Sequence, residues 1–381
     1  MKRWPTNKLG EIVTIHMGQS PPGETYNAEG VGLPFFQGKA EFGEDHPVKV
    51  KWCSRPSRIA DAGDILLSVR APVGPTNFAT ERCCIGRGLA ALRSDPRKCH
   101  QRYVRYYLKR FEADIAARGV GSTFTAINRN DLERLELPVP PLPEQERIVR
   151  ILDDADELRK LRAQADRRTA GLIPALFHDM FGDPITNSKR LPMVSLEQIA
   201  SVERGKFTPR PRNDPSYYGG EHPFIQTGDI AQSDGLLTCW KQTLNKRGTK
   251  VSKQFPAGTV VIAIVGATIG ETAILGVPVF CTDSVVGIQA NSHKTIPEYI
   301  WSVLRHWRPL FLSQAPATAR ANINLAILKP LKIPLPELRL QKEFATRIAE
   351  MRAMETQQAA SRRRLDDLFA SLLQRAFQGE L

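Results

Sequence analysis

The sequence predicts an α+β protein in which one unit occurs twice: a globular module of short strands and helices followed by a long helix, the two long helices packed as a coiled coil. Three observations predict it: an internal repeat, a proline joint closing each module, and the long stretches without Gly or Pro that follow the joints. The boundaries fall at 1–143 for the first module, 144–182 for the first helix, 183–340 for the second module and 341–381 for the second helix.

The repeat holds strict register over its later part. At an offset of 196, Ala126-Ile127-Asn128 falls on Asn322-Ile323-Asn324. In the same register Leu132, Leu135, Leu137, Pro138, Pro140, Leu142 and Gln145 fall on Leu328, Leu331, Ile333, Pro334, Pro336, Leu338 and Gln341. It continues along the helices, matching Leu172 with Leu368, Leu176 with Leu372 and Phe181 with Phe377. Earlier, Leu9, Ile12 and Gly18 align with Leu196, Ile199 and Gly205, and Pro34-Phe35 with Pro223-Phe224, at offsets that drift as loops of unequal length require. Such self-similarity decides the architecture before any single element does.

Within the modules, Asp64 to Val69 and Thr259 to Ile264 are β-prone runs bounded by Gly and Pro. Tyr103 to Leu108 and Tyr299 to Leu304 carry helical patterns. The joints Pro140-Pro141-Leu142-Pro143 and Pro334-Leu335-Pro336 cannot lie inside a helix but can launch one. Helices are therefore expected from Glu144 to Ala170 and from Glu337 to Gln378. Along the first, Ile148, Ile151, Ala155, Leu158, Ala165, Leu172 and Leu176 take a and d spacings; along the second, Phe344, Met351, Met354, Leu365, Leu368 and Leu372 do. So narrow a seam predicts coiled-coil pairing, the alternative being a helix folded back on its own module. At 1.5 Å per residue the rods are about 50 to 60 Å long. Gly171 and Pro174 predict a kink near the end of the first.

Composition narrows the function. The 381 residues carry 53 Lys and Arg against 40 Asp and Glu, a net charge of +13, and 41% are hydrophobic, enough for sizeable cores. The surplus lies in the modules, +6 on 1–143 and +7 on 183–340, while the helices are nearly neutral at −1 and +1. Two basic modules point to a polyanion. The polar stretch after Met1-Lys2-Arg3 lacks the apolar core of an export signal, so a cytoplasmic protein is expected. The run Val260 to Ala267 is far shorter than a membrane span, so no membrane association is expected. Cys53, Cys83, Cys84, Cys99, Cys239 and Cys281 form no C-x-x-C pair, and structural zinc is not expected.

Catalytic chemistries fail one by one. Neither Asp nor Glu stands two residues before any of the 18 lysines, which excludes a D/E-x-K nuclease site. An adenine methylase needs Asn or Asp followed by Pro-Pro and an aromatic residue to hold a flipped base, and no such tetrapeptide occurs. No G-x-x-x-x-G-K-[ST] loop is present. The glycine-rich stretch Ile262 to Gly270 imitates a nucleotide-binding turn, yet its counterpart Leu67 to Gly74 has Arg70 and Pro72 there; a strand-turn-strand with a basic tip in one half fits both. Cys83-Cys84 and Cys99-His100 lack a second cluster at ligand spacing and read as buried or incidental residues. Asp153-Asp154-x-Asp156-Glu157, followed by Arg159, Lys160 and Arg162, reads as a solvated helix face with ion pairs.

The segment Leu137 to Val149, closing later in Met180-Phe181-Gly182-Asp183-Pro184, resembles the specificity subunit of type I restriction-modification enzymes. So do Gly18-Gln19-Ser20-Pro21, Gly205-Lys206-Phe207-Thr208-Pro209, Gly63 to Ser68 and Gly121-Ser122-Thr123. The resemblance spans nearly the whole chain, although the second joint, Pro336-Glu337-Leu338-Arg339-Leu340-Gln341, lacks the fuller Pro-Leu-Pro-Glu-Gln-Glu of the first. It implies two target-recognition domains, each reading one half of a bipartite site on double-stranded DNA. It further implies that the helices pair as an antiparallel coiled coil, set the half-site spacing and dock two methyltransferase (M) subunits. S-adenosylmethionine is then expected on those subunits and no cofactor on this chain, cutting is left to endonuclease and translocase (R) subunits, and the chain itself carries no catalytic or metal site. A nonspecific nucleic-acid-binding scaffold is the alternative.

DNA reading needs Lys and Arg on phosphates for register and hydrogen-bonding side chains on base edges for sequence. In the first module the loops offer Gln19, Ser20, Lys39, Arg70, Arg82, Arg87, Ser122 and Thr123; in the second, Lys206, Thr208, Arg210, Arg212, Lys246, Arg247, Lys250 and Arg320. Arg210-Pro211-Arg212 is the most pointed of these, because proline stiffens a basic loop.

Overall fold

The structure, a computed structural model, describes residues 4–117, 126–169, 171–313 and 323–381, and counts and absences given below are of those residues. The chain divides into two compact units, residues 1–164 with 359–381, and residues 165–358. The main helices are α1 (Gln101–Arg110), α2 (Leu142–Thr169), α3 (Leu172–Phe181), α4 (Lys246–Lys250), α5 (Pro297–Ser313) and α6 (Leu338–Gln378). Each unit contains part of α6.

In the first unit, β1 (Val13–Met17), β2 (Leu33–Phe36), β3 (Ile65–Ser68), β4 (Thr76–Phe78), β5 (Cys83–Ile85) and β6 (Leu89–Ser94) build two sheets. One is antiparallel in the order β1-β6-β3-β4, with Leu92 opposite both Ile15 and Ile65. The other is centred on the parallel pair β2 and β5, Phe35 opposite Cys84. Successive side chains of a strand face opposite ways. Ile65 and Leu67 accordingly join Leu9, Ile12 and the α1 residues Tyr103, Val104, Tyr107 and Leu108 in the main core. Leu66 and Ala91 turn to Phe36, Ile85 and Leu89 between the sheets. A strand covered on both faces must be apolar throughout, which is why Asp64 to Val69 reads as an unbroken run rather than an alternation.

The second unit repeats this plan with β7 (Ala200–Arg204), β8 (Tyr218–Ile225), β9 (Val260–Ala263), β10 (Thr272–Leu275), β11 (Val279–Cys281) and β12 (Val285–Ala290). The order β7-β12-β9-β10 is extended by Leu236–Leu237, parallel to β10, and β8 runs parallel to β11. Val260 and Ile262 face Tyr299 and Ile300 of α5, while Val261 and Ala263 face the second sheet.

One buried glutamine fixes each long helix to its module. Gln145, fully buried, donates from Nε2 to the carbonyls of Lys98 (3.2 Å) and Pro140 (2.8 Å) and accepts from the His100 amide (2.8 Å). Gln341 repeats the pattern, donating to Lys294 (3.2 Å) and Pro336 (2.9 Å) and accepting from Thr295 and Ile296. The tyrosines beneath, Tyr103 and Tyr299, donate to the joint carbonyls of Pro138 (2.9 Å) and Pro334 (2.6 Å). The prolines leave carbonyls without a helical partner, and these side chains supply the donors.

The long helix is interrupted where the sequence predicts a kink. α2 ends at Thr169, Gly171 precedes α3, and Pro174 occupies the first turn of α3, where a missing amide costs no helical bond. The apolar seam needs correcting. The buried apolar positions are Ile148, Val149, Leu152 and Ala155 on α2 and Phe344, Ile348, Phe369, Leu373 and Ala376 on α6, whereas Leu158, Met354 and Leu368 are about half exposed. The buried faces turn towards the module helices rather than lying only along a seam. In the first unit Phe369 and Phe377 pack on Tyr106, Tyr103 and Tyr107 of α1; in the second, Phe177 and Phe181 of α3 pack on Tyr299 and on Phe344 of α6. The long helices also touch one another, through Arg159 and Asp366 (2.7 Å) in the first unit and through Thr169 and Gln358 (3.0 Å) in the second.

The acidic patch on α2 is a second correction. Asp156 is buried and accepts from Lys160 (2.8 Å), Arg159 (3.2 Å) and Lys109 (3.4 Å), and Lys160 continues to Asp45, which also pairs with Arg105 (2.6 Å). Only part of this patch is solvated, because α2 lies against α1. Burial raises the Asp45 carboxyl, but the hydrogen bonds from Lys160 and Arg105 outweigh it and hold the group at about 2.

Gln145→Leu and Gln341→Leu are expected to destabilise their units by about 3 kcal/mol each, because a buried amide and two buried carbonyls lose their partners; denaturant titration measures this. The Asp45 value lies below its ordinary 3.8, so the stability from its ionised form is full above about pH 4 and lost as the pH falls through about 2. Relative to Asp45→Asn, the protein is therefore expected to be more stable by about 1 kcal/mol at neutral pH, after allowing for solvent screening, and by nothing near pH 2. Unfolding curves across that range measure the difference.

Candidate nucleic-acid interface

In the first module three loops meet at one end of the two sheets: Gly18-Gln19-Ser20 after β1, Gln37 to Lys39 after β2, and Gly86-Arg87-Gly88 between β5 and β6. Their backbones bond directly. Gly18 donates to Leu89 (2.8 Å), Gln19 to Ile85 (3.1 Å), Gly86 to Phe36 (2.8 Å) and Gly88 to Gln37 (3.1 Å). A Cβ on Gly18 would stand 2.1 Å from the Gly86 carbonyl oxygen, so only glycine admits the approach. The second module builds the same platform: Gly205 donates to Val285 (2.8 Å), Lys206 donates to Cys281 (3.1 Å), and a Cβ on Gly205 would stand 2.2 Å from the Thr282 carbonyl oxygen.

These loops gather most of the first module's candidates. Gln19, Lys39 and Arg87 are exposed, and half-buried Ser20 accepts from Gln37 Nε2 at 2.9 Å. Arg70 is exposed and adjoins the platform, since Val69 donates to Gly88 at 2.9 Å. Arg82 does not join them. It lies at the opposite end of β5, 3.7 Å from Asp61, beside the stronger pairing of Arg93 with Asp61 and Asp64. Ser122, Thr123 and Arg320 lie outside the described residues.

In the second module Lys206, Thr208, Arg210 and Arg212 follow one another along the loop after β7, all exposed. Thr208 donates to the Val251 carbonyl just past α4, whose Lys246, Arg247 and Lys250 are also exposed. Arg247 stacks over Tyr217, 5.3 Å from its ring centroid, and Phe207, Tyr218 and Phe224 form an aromatic floor under the loop. Arg210 and Arg212 are not free: both bond to Asp283, Arg212 at 2.7 and 2.9 Å and Arg210 at 3.4 Å. Arg204 donates to the Asp283 carbonyl.

Sequence reasoning missed Gln37, Arg204 and Asp283, and also Gln226, which equals Gln37 in the repeat and donates to Gln242 at 2.7 Å. The repeat itself held the signal. The offset of 196 runs back through β5 and β6, placing Asp283 on Arg87.

The other motifs settle as structure. Ile262 to Gly270 forms the end of β9 and the short turn that leads into antiparallel β10, with exposed Arg70 marking the equivalent position of the first module. Cys83 and Cys99 are buried, which pushes each thiol up to about 12, far from a reactive thiolate. No group of three or more metal-ligating side chains occurs among the described residues, and no helix among them is long and apolar enough to cross a membrane.

Each of the two modules thus carries one loop platform with exposed basic side chains around it. Residues 1–166 and 190–359 match the type I restriction modification DNA specificity domain, and the chain belongs to that family. A curated relative from Methanocaldococcus jannaschii, named for the MjaX type I restriction enzyme specificity subunit, is 45% identical over 161 residues, 42% of this chain and 38% of the relative. The alignment thus spans well under half of that relative. The MjaVIII type I restriction enzyme specificity subunit of the same organism is 22% identical over 76% of this chain and 72% of its own length. Among solved structures, the S subunit of a type I restriction-modification system from M. genitalium superposes with a TM-score of 0.57 at 17% identity, covering 98% of this chain and 96% of the other. A chain solved in a study of complex assembly and conformational transition of the type I R-M system superposes at 0.67 with 18% identity, covering 100% and 99%. These likenesses establish the fold.

Gly18→Ala and Gly205→Ala are each expected to force the platform loops apart and to destabilise the module by about 1 to 3 kcal/mol. Gly171→Ala serves as the control, since nothing lies within 4 Å of a Cβ there. Denaturant titration of the three variants measures the contrast.

Proposed function

We propose that this chain is the DNA sequence-specificity subunit of a type I restriction-modification complex, each module reading one half of a bipartite site on double-stranded DNA. The observation that carries this reading is the duplicated loop platform: three equivalent backbone bonds, from Gly18, Gln19 and Val69 and from Gly205, Lys206 and Ile264, and the same obligatory glycine in both modules, topped by different side chains. A nonspecific polyanion binder has no use for two rigid platforms of divergent surface. Basic side chains around each platform supply phosphate contacts, and Gln19, Ser20, Gln37 and Thr208 supply hydrogen-bonding groups for base edges.

The long helices act as an antiparallel coiled-coil spacer and as the dock for two methyltransferase subunits. The exposed apolar residues on them support the docking. Leu158 and Leu368 stand in the first unit and Met354 and Leu172 in the second, and the repeat maps one pair onto the other, Leu158 to Met354 and Leu172 to Leu368. Two equivalent pairs suit two copies of one partner. On this reading S-adenosylmethionine belongs to the methyltransferase subunits, translocation and cutting belong to the endonuclease subunits, this chain holds no cofactor and carries out no chemical step, and the complex works in the cytoplasm.

Removing one helical turn from both α2 and α6 is expected to shorten the spacer of the recognised motif by about one to two base pairs while leaving both half-site sequences intact. Single-molecule methylation mapping in cells expressing the variant with its methyltransferase reads this directly. An unchanged spacer would refute the spacer role, and methylation without a bipartite motif would favour the nonspecific scaffold.

A further inference from the structure

The connections Gly86-Arg87-Gly88 and Thr282-Asp283-Ser284 occupy one position in the two modules. Val69 donates to Gly88 at 2.9 Å and Ile264 to Ser284 at 3.1 Å, and Gln19 and Lys206 donate to the equivalent carbonyls of Ile85 and Cys281. The central residue nevertheless carries opposite charge. Arg87 is exposed, with no ion pair or side-chain hydrogen bond among the described residues. Asp283 is about a quarter exposed and takes two bonds from Nη2 of Arg212, one from Nη2 of Arg210, and one on its carbonyl from Arg204. Nη1 of Arg210 is spent on the carbonyls of Phe207 and Pro209. Arg212 is different. Its own carbonyl accepts from the Tyr218 hydroxyl, its guanidinium is held by Asp283, and its Nη1 and Nε remain unbonded among the described residues on a side chain about half exposed.

An exposed Arg–Asp pair adds little stability, but it removes the rotamer freedom that an arginine otherwise loses on binding. A guanidinium fixed through Nη2, with Nη1 and Nε still open, is prepared to donate to an acceptor that guanine presents in the major groove. Resting on the DNA-reading role proposed above, we propose that Arg212 reads a guanine of the second half-site and that Asp283 is its positioning residue. The first module, with Arg87 in that place, delivers its guanidinium from the sheet-to-sheet connection instead. The two half-sites then differ because one structural position supplies a reader in one module and a brace for a reader in the other.

The test uses the full chain in complex with its methyltransferase, assayed on a duplex series in which each base pair of the motif is replaced in turn. Asp283→Asn and Arg212→Lys are both expected to reduce discrimination at the same single G·C pair by about tenfold or more, the first half-site being read as before. Asp283→Glu is expected to restore most of it, and thermal unfolding of each variant shows whether the loop still folds. If Arg212→Lys loses the preference and Asp283→Asn keeps it, Asp283 is no brace, and the DNA-reading role stands. If both keep it, Arg212 is not the reader. Equal loss at both half-sites, or no sequence preference in the unaltered complex, overturns the proposal, the latter together with the DNA-reading role on which it rests.

Discussion

Everything that points outward from this protein depends on how each long helix leaves its module, and a single buried amide governs that. Gln145 and Gln341 each bind one joint carbonyl, one carbonyl before the module helix and an amide at or near the start of that helix. A proline joint alone would launch a helix in a loosely defined direction, because its carbonyls could turn to water. Because the glutamine is fully buried, the helix has one set of partners and one direction. The tyrosines below repeat the lesson one layer down, and the same pair of side chains appears in both units although the surrounding residues differ.

Those surroundings differ in kind. In the first unit, α1 and α2 meet through a charged network running from Asp45 through Lys160 to Asp156. In the second, the repeat puts Trp301 where Arg105 stands and Arg352 where Asp156 stands, and Arg352 lies over the Trp301 ring at 5.0 Å. One helix crossing is held by ion pairs and the other by a cation over an aromatic face. Fold and register have outlasted the chemistry of the contacts, as they have at the loop platforms.

Much of the architecture was legible in the sequence because it follows from local rules. The strands at Ile65 and Val260, the module helices at Tyr103 and Tyr299, the joints and the break at Gly171 each depend on a few adjacent residues. The buried faces of the long helices were not legible, because an a and d pattern records which residues are apolar and not which surface they meet. Phe369 is buried by α1, more than 250 residues earlier in the chain. The candidate site shows the same division. Gly18 and Gly205 stood out from the repeat, but Arg210 and Arg212 looked free because their partner Asp283 lies 71 to 73 residues away, and a count of charges does not show pairing.

The first unit is assembled from the two ends of the described chain, whereas the second is one continuous stretch. During synthesis residues 165–358 are all available before residue 359 is made, so the later module is the first able to close its core. The earlier module waits with the faces of Tyr103, Tyr106 and Tyr107 uncovered until Phe369 and Phe377 arrive. At roughly 5 to 20 residues per second, that interval lasts on the order of ten seconds or more. Of the two modules, the one made first is thus the one whose aromatic face is covered last.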